Sequence, residues 1–192
     1  MIESKSTEWL VVVNPNAGTG KGKKDWNKIS ALLNEYGFQY TAVFTERKLH
    51  AIQMIPDHIK NGYRKIIVVG GDGTMNEVVN GIFSQNTAAP TEITLGMVSV
   101  GTGNDWGRTF NIPLDYKLAI EIIKKGKTIN QDAGFVTYVN GSGSCSRYFA
   151  NMAGLGFDGH VAKKTNAAKE KGRSNPIIYL GYLVSSLFDY KS

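Results

Sequence analysis

The sequence predicts an α/β domain with a mostly parallel sheet, followed by the start of a β-rich second domain. Through the first 130 residues, short β-branched runs alternate with longer amphipathic stretches, the pattern of a parallel sheet covered by helices. The first run, Trp9 to Val13, is apolar throughout, as in a strand buried on both faces. After residue 127, two extended runs joined by a glycine and serine loop replace this rhythm. We therefore place the domains at residues 1–127 and 128–192.

The elements of the first domain follow from hydrophobic spacing and from glycines at their ends. Ile29, Leu32 and Leu33 recur at helical spacing, and Gly37 follows where a left-handed C-terminal cap belongs. Pro56 lies inside the next helical pattern, which we expect it to kink or shorten. The predicted strands are 9–13, 38–44, 65–69 and 94–100, and the predicted helices are 25–36, 51–61, 75–83 and 116–125.

The second domain begins with a predicted antiparallel hairpin of residues 128–139 and 145–152. Two helices are predicted after it, at 158–172 and 177–188, the second started by Pro176. A lone hairpin is marginally stable in water without further strands or a covering layer. We therefore expect this β-rich domain to be truncated within the 192 residues.

Composition narrows the classes of protein and of partner. The 22 Lys and Arg against 16 Asp and Glu give a net charge of +6, which favours a nucleotide, a nucleic acid or an anionic membrane as partner. Cys145 is the single cysteine, so an internal disulfide is excluded and a reducing, cytoplasmic setting is predicted. Neither an export signal nor an apolar stretch of membrane-spanning length is found. Aromatic residues do not interleave with the basic runs, which argues against nucleic acid.

Three glycine-bearing turns each follow a predicted strand, at residues 14–21, 70–74 and 101–105. Glycine lets the backbone approach a ligand, and consecutive amides with a helix N-terminus suit an anion such as phosphate. The first turn is not a Walker A motif, because Pro15 stands where that motif needs glycine and Gly22 where it needs Ser or Thr. The sequence therefore predicts phosphate binding and disfavours P-loop hydrolysis.

Asp72 stands between glycines at the carboxyl end of a strand, where open α/β sheets bind ligands. Its carboxylate suits a metal or a hydroxyl, and the alternative is a turn in which Asp72 or Thr74 caps the following helix. In the third turn, Thr102 suits a phosphate, whereas Asn104 and Asp105 are predicted to cap a short helix.

The segments NPNAGTGK, GGDGTMNEVVNG and GTGNDWGR, in this order and at strand ends, resemble the diacylglycerol kinase catalytic domain family, including its bacterial lipid kinases. The resemblance continues through residues 44–46, Asp132 and residues 149–158. It implies an α/β nucleotide-binding domain of the type shared with NAD kinases, a β-sandwich, and ATP with Mg²⁺ in the cleft between them. It also implies metal-binding acids and a catalytic carboxylate beyond Ser192, so we assign no metal ligand.

The resemblance implies site residues by position, with Asp72 nearest the chemistry and expected to be catalytic. The residues expected to hold ATP are Asn14, Pro15, Asn16, Ala17, Gly18, Thr45, Gly71, Asp72, Gly73, Thr74, Met75, Asn76, Glu77 and Thr102.

The predicted function is transfer of the γ-phosphoryl group of ATP to a hydroxyl of diacylglycerol or a related lipid, at the inner membrane surface. A NAD kinase-like enzyme is the second hypothesis. The first turn and residues 149–158 argue against it, because both resemble the lipid kinases. A nucleotide-binding module without catalysis is the third.

Two groups of basic side chains are candidates for contact with an anionic membrane, and we favour the later one. They are Lys21, Lys23 and Lys24, and then Lys163, Lys164, Lys169, Lys171 and Arg173. Lys124, Lys125 and Lys127 are attributed to the dipole of the helix that they end.

Overall fold

A computed structural model describes residues 7–141, 143–154, 156–170 and 176–189. The chain forms two compact units, one up to Asn151 and one from Met152 onward. The strands are β1 (Trp9–Val13), β2 (Tyr40–Phe44), β3 (Lys65–Gly70), β4 (Thr94–Ser99), β5 (Gly134–Asn140) and β6 (Gly143–Phe149). The helices are α1 (Ala17–Glu35), α2 (His50–Lys60), α3 (Asp72–Phe83), α4 (Asp105–Thr109), α5 (Tyr116–Lys125), α6 (Phe157–Glu170) and α7 (Pro176–Asp189).

β1 to β4 form a four-stranded sheet in the order β2-β1-β3-β4, and every pairing is parallel. Val13 at the end of β1 is in register with Val69 of β3, and Gly70 of β3 with Ser99 of β4. The carboxyl ends of three neighbouring strands therefore meet at one edge of the sheet. The predicted α/β class with a mostly parallel sheet is confirmed.

Helices cover both faces of this sheet, and alternate residues of its strands point into two separate hydrophobic clusters. Leu10, Val12 and Val68 pack under α2 and α3. Val11 and Val13 pack on the opposite face, under α1 and α5. Both clusters lie in the first unit, and burial of these apolar side chains from water is the main contribution to its stability.

The predicted strands and most predicted helices are confirmed with small shifts of their ends. The left-handed glycine predicted at Gly37 is confirmed, with φ of 68°. Two helices begin earlier than predicted: α1 starts at Ala17 and α3 at Asp72. The early start of α1 is not regular helix, because Gly18, Thr19 and Gly20 all have positive φ. The chain turns sharply there before the regular helix proceeds.

Pro56 does not end its helix, because α2 runs for 11 residues with Pro56 inside it. Proline supplies no N–H to the carbonyl four residues earlier, that of Ile52. A Cβ at Gly81 of α3 would lie only 3.2 Å from that oxygen and 2.7 Å from the Cβ of Ile55. The backbone of α3 therefore approaches α2 closely beside the proline, which only glycine permits.

β5 and β6 pair antiparallel with Gly134 opposite Phe149, so the predicted hairpin is confirmed with shorter strands. It lies in the same compact unit as the parallel sheet. The domain boundary predicted at residue 127 concerns a larger β-rich domain and stays a prediction.

The second unit contains α6 and α7. Lys164 donates to Asp189 at 2.8 Å, and this hydrogen bond, with the attraction of the ammonium, lowers the pKa of the Asp189 carboxyl. Of the later lysine group, Lys164 is thus paired with an acid, while Lys171 and Arg173 lie outside the described residues. Among the residues described, no helix is both long and apolar enough to cross a membrane.

Candidate functional site

The three glycine-bearing turns lie together at the carboxyl edge of the parallel sheet. They follow β1, β3 and β4, which are neighbours in the order β2-β1-β3-β4. The ends of adjacent parallel strands open onto a crevice at which α/β proteins bind ligands. Side-chain and backbone contacts between the turns hold this crevice in one arrangement.

Asn14 connects the first turn to the second. Its Nδ2 donates to Oγ1 of Thr74 at 2.9 Å, and its Oδ1 accepts from the backbone N–H of Asn16 at 3.0 Å. Thr74 is buried, so this side-chain pair is shielded from competing water. The backbone of Gly22 packs closely against the first turn, since a Cβ there would lie 2.0 Å from the carbonyl oxygen of Asn14. The amide of Asn14 therefore sets the shape of the first turn and its distance from the second.

Gly18 brings the first turn against the third. Its φ is 60°, and a Cβ would lie 2.0 Å from the carbonyl oxygen of Val100, directly after β4. Both the left-handed conformation and the close approach require glycine. The first turn thus contacts the end of β4 across the top of β3.

Asp72 connects the second turn to the third. Its Oδ1 accepts from the backbone N–H of Trp106 at 2.9 Å, and its Oδ2 is 3.0 Å from the position of a Cβ at Gly103. The carboxylate therefore caps α4, whereas no side chain caps α3, the helix that Asp72 itself begins. Gly71 and Gly101 also pack backbone to backbone, since a Cβ on Gly101 would be 2.7 Å from Cα of Gly71.

Asn104 and Asp105, in the third turn, do not cap the short helix α4 that follows it. Asn104 has φ of 55° and makes no side-chain bond to α4, and Asp105 pairs with Arg108 at 2.8 Å. The role predicted for these two residues, capping the short helix, belongs instead to Asp72. Asn104 is buried and its Nδ2 donates to the carbonyl of Gly101 at 2.8 Å, so it closes the third turn on itself.

The remaining predicted residues have different surroundings. Thr45 is buried, and its N–H donates to the carbonyl of Val13, which brings the loop after β2 to the same edge. Glu77 accepts from the N–H of Leu49 at 3.0 Å, so its carboxylate holds that loop. The Met75 side chain lies in the hydrophobic core, which leaves its backbone nearer the crevice.

Open positions mark where a ligand has room. Gly73 and Thr102 are exposed, and a Cβ built at Gly73 has no other atom within 4 Å. Asn16 is also exposed, at the tip of the first turn, and Pro15 lies behind it with its carbonyl accepting from Lys23. Asn76 is half-buried one turn into α3, where its carbonyl accepts from Asn80. The crevice thus offers backbone amides, a threonine hydroxyl and the carboxylate of Asp72.

The described residues contain no group of three or more His, Cys, Asp or Glu side chains able to enclose a metal ion. Asp72 links two of the turns, whereas the neighbouring Asp105 pairs with Arg108, and one carboxylate with phosphate oxygens is a usual donor set for Mg²⁺. These residues fit a magnesium ion carried by a phosphate ligand rather than one caged by protein alone.

Two long-range contacts of this region had no signal in the sequence. The indole N–H of Trp106 donates to Gln131 at 2.9 Å, and Gln131 in turn donates to the carbonyl of Ala150. Asn80 of α3 both donates to the carbonyl of Tyr148 at 2.8 Å and accepts from its N–H at 3.0 Å. The side-chain amide of Asn80 thus pairs with β6 as a neighbouring strand would, and the hairpin is held against the crevice elements.

Comparison with known proteins gives a consistent result. The model of the diacylglycerol kinase catalytic domain matches residues 8–136. The chain is 32% identical over 169 residues to a diacylglycerol kinase of Staphylococcus saprophyticus, covering 88% of this chain and 51% of that protein. It is 34% identical over 146 residues to a diacylglycerol kinase of Staphylococcus haemolyticus, covering 76% and 41%.

Among solved structures, the crystal structure of a diacylglycerol kinase from Bacillus anthracis superposes with a TM-score of 0.59 and 28% identity. That match covers 70% of this chain and 45% of the other. The chain spans about half the length of the curated relatives that it matches.

Proposed function

Because the chain belongs to the diacylglycerol kinase catalytic domain family, we propose that the protein is an ATP-dependent lipid kinase. It transfers the γ-phosphoryl group of ATP to a hydroxyl of diacylglycerol or of a related lipid. The relatives named above are diacylglycerol kinases, and this supports the acceptor class.

The observation that carries the proposal is the linkage of the three turns at one edge of the sheet. Asn14 bonds to Thr74, Gly18 contacts Val100, and Asp72 bonds to Trp106. These contacts hold together three glycine-bearing turns and a carboxylate, and this combination supports binding of a polyphosphate. Turns that are held by their own contacts would bind a phosphate at smaller entropic cost than turns that a ligand must order.

Phosphoryl transfer depends mainly on position and charge neutralisation, because the transferring group needs little covalent help. Magnesium, when bound with ATP, would supply charge neutralisation on the phosphates. Asp72 would orient that cation, with Gly73 leaving room for phosphate oxygens and Thr102 donating its hydroxyl. The finer assignments, including the whole set from Asn14 to Thr102, are part of this proposal.

The test is phosphoryl transfer from γ-labelled ATP by the purified protein, with diacylglycerol in vesicles and NAD as parallel acceptors. We expect label in phosphatidic acid and none in NADP. Label in NADP would replace the proposal with a NAD kinase-like activity. Saturable ATP binding, measured by calorimetry, with no labelled product from either acceptor would replace it with a nucleotide-binding module.

A further inference from the structure

Exposed apolar side chains follow the outer side of α5. Leu118 and Ile122 lie one turn apart on the helix, and Leu114 directly precedes its extended N-cap residue, Asp115. Their exposed fractions are 64% for Leu114, 49% for Leu118 and 38% for Ile122. We call these three residues the α5 ridge. Apolar side chains exposed at helical spacing form a patch, whereas single exposed ones are ordinary on any surface.

The other side of α5 accounts for its attachment to the sheet. Ala119 and Ile120 are fully buried, and a Cβ at Gly96 of β4 would lie 3.1 Å from Ile123. The helix is therefore already held by a complete apolar face. The α5 ridge adds nothing to that packing, since it points away from the sheet.

Exposed lysines lie on α5 beside the ridge residues and on the neighbouring helix α1. Lys21 and Lys28 of α1 each place the ammonium 5.6 Å from the centre of the Tyr116 ring, at the start of α5. The exposed lysines of α5 and of the residues after it are Lys117, Lys124, Lys125 and Lys127. The dipole of α5 accounts for a preference for cations in its last turn, but not for Lys117 in its first turn or for the two lysines of α1.

Three of the carboxylates on this surface accept hydrogen bonds, and a fourth, Glu35, is exposed at the end of α1. Asp25 accepts from the hydroxyl of Tyr116 at 2.6 Å, Glu121 accepts from the hydroxyl of Tyr36 at 2.5 Å, and Asp115 caps α5 through the N–H of Leu118. Six lysines against four carboxylates, those three and Glu35, leave a surface of net positive charge. It is complementary to an anionic partner.

We propose that the α5 ridge and its neighbouring lysines are the surface with which the protein lies on an anionic lipid bilayer. This inference rests on the proposed function, because a diacylglycerol acceptor stays in the bilayer. An amphipathic helix at such an interface buries apolar side chains at the boundary of headgroups and acyl chains, while lysines extend to the lipid phosphates. The leucines and the isoleucine of the ridge suit the acyl chains, and the lysines suit the anionic headgroups.

α5 begins at the same edge of the sheet as the crevice. Tyr116 at the start of α5 contacts Asp25 in the middle of α1, and the ammonium of Lys124 at the end of α5 lies 5.2 Å from the centre of the Phe38 ring, just after α1. α5 therefore runs parallel to α1, which begins in the first glycine-bearing turn. Leu114 is at the end of the ridge nearest the carboxyl edge of the sheet. A bilayer in contact with the ridge would therefore pass beside the edge of the sheet at which the crevice opens.

The experiment is co-sedimentation of the protein with vesicles of phosphatidylglycerol and phosphatidylcholine, without ATP. We expect binding to rise with the phosphatidylglycerol fraction and to weaken with salt. The double variant Leu118→Gln, Ile122→Gln should reduce the partition coefficient by about tenfold or more, because glutamine retains helix propensity but cannot enter the acyl region. Lys117→Gln with Lys125→Gln should abolish most of the dependence on phosphatidylglycerol.

Matched controls lie elsewhere on the same unit. Lys60→Gln removes an exposed lysine from α2, on the opposite face of the sheet, and Val139→Gln removes an exposed apolar side chain from β5. We expect both to bind vesicles as the unaltered protein does. Circular dichroism of all variants verifies that they are folded.

Vesicle binding by the ridge variants equal to that of the unaltered protein would overturn the inference. A change in oligomeric mass by light scattering, without a change in vesicle binding, would overturn it too and assign the ridge to a second copy of the chain.

The proposed function is tested separately with a water-soluble short-chain diacylglycerol. Ridge variants should phosphorylate that acceptor at the unaltered rate while losing activity on vesicles. If the ridge variants lose binding to anionic vesicles but the unaltered protein phosphorylates neither acceptor, the membrane-binding surface would be supported and the proposed lipid kinase activity refuted.

Discussion

Replacing Asp72 by asparagine separates the charge of this side chain from its shape. Asparagine retains an oxygen able to accept from the N–H of Trp106, the contact that caps α4 at 2.9 Å. A hydrogen bond to a charged group contributes about 1.5–3 kcal/mol and a neutral one about 1 kcal/mol. A carboxylate in the first turn of α3 contributes roughly 0.3–1 kcal/mol through the helix dipole. Asp72 is only half-buried, so water screens its charge and we expect Asp72→Asn to lower the free energy of unfolding by about 1 kcal/mol, the low end of the summed losses.

Asp72→Ala removes the acceptor as well and should cost about 2–3 kcal/mol, because the N–H of Trp106 is then left without it. For a chain of this length, each kcal/mol lowers Tm by roughly 2–4 °C. Thermal unfolding followed by circular dichroism should thus rank the unaltered protein above Asp72→Asn, and Asp72→Ala lowest. Asp57→Asn, at an exposed position on α2, is the control and should melt as the unaltered protein does.

Phosphoryl transfer should respond differently from stability. Both Asp72 variants should lose it, because neither retains the charge that orients the cation. The reasoning fails if Asp72→Asn turns over ATP at the unaltered rate, since the carboxylate would then be a structural cap only. It also fails if Asp72→Ala melts with the unaltered protein, since the bond to α4 would contribute nothing.

Three further predictions concern a ligand, a packing contact and a titration. Gly73→Val should fold normally, because a Cβ there meets no atom within 4 Å, yet lose ATP affinity in calorimetry by occupying the space for phosphate; unchanged affinity would move the nucleotide elsewhere. Gly81→Ala should lower the free energy of urea unfolding by about 1–3 kcal/mol, because its Cβ would lie 2.7 Å from the Cβ of Ile55; a gain in stability would show that α2 shifts freely. The hydrogen bond to Glu121 raises the pKa of Tyr36 to about 12 from 10.0, so the protonated phenol stabilises the folded state below pH 10 and this stabilisation is lost as pH rises toward 12. Urea unfolding at about pH 9 and pH 11 should show the advantage of the unaltered protein over Tyr36→Phe shrinking at the higher pH, and a constant advantage would contradict the bond.

Much of the fold follows from local patterns in the sequence. Trp9–Val13 reads as a buried strand because all its residues are apolar, and the structure has the strand with those bounds. Gly37 and Gly126 end helices in the left-handed conformation, which a single residue type decides. The three turns at the strand ends are likewise predictable from residue type. Glycine, aspartate and threonine directly after a buried strand are a local signal, and the family resemblance depended on it.

The contacts that make these turns one site were decided only by the tertiary structure. Asn14 and Thr74 are 60 residues apart, and they meet because the sheet places β1 beside β3. In the same way, Asp72 caps α4 rather than the helix it begins, a choice that helix-capping preferences leave open. The exposed α5 ridge also depended on how α5 packs, because the same leucines would suit a core-facing helix. Local preferences act within a few residues, whereas a hydrogen bond or a buried face depends on which strands and helices become neighbours, and cooperative burial of the whole core decides that.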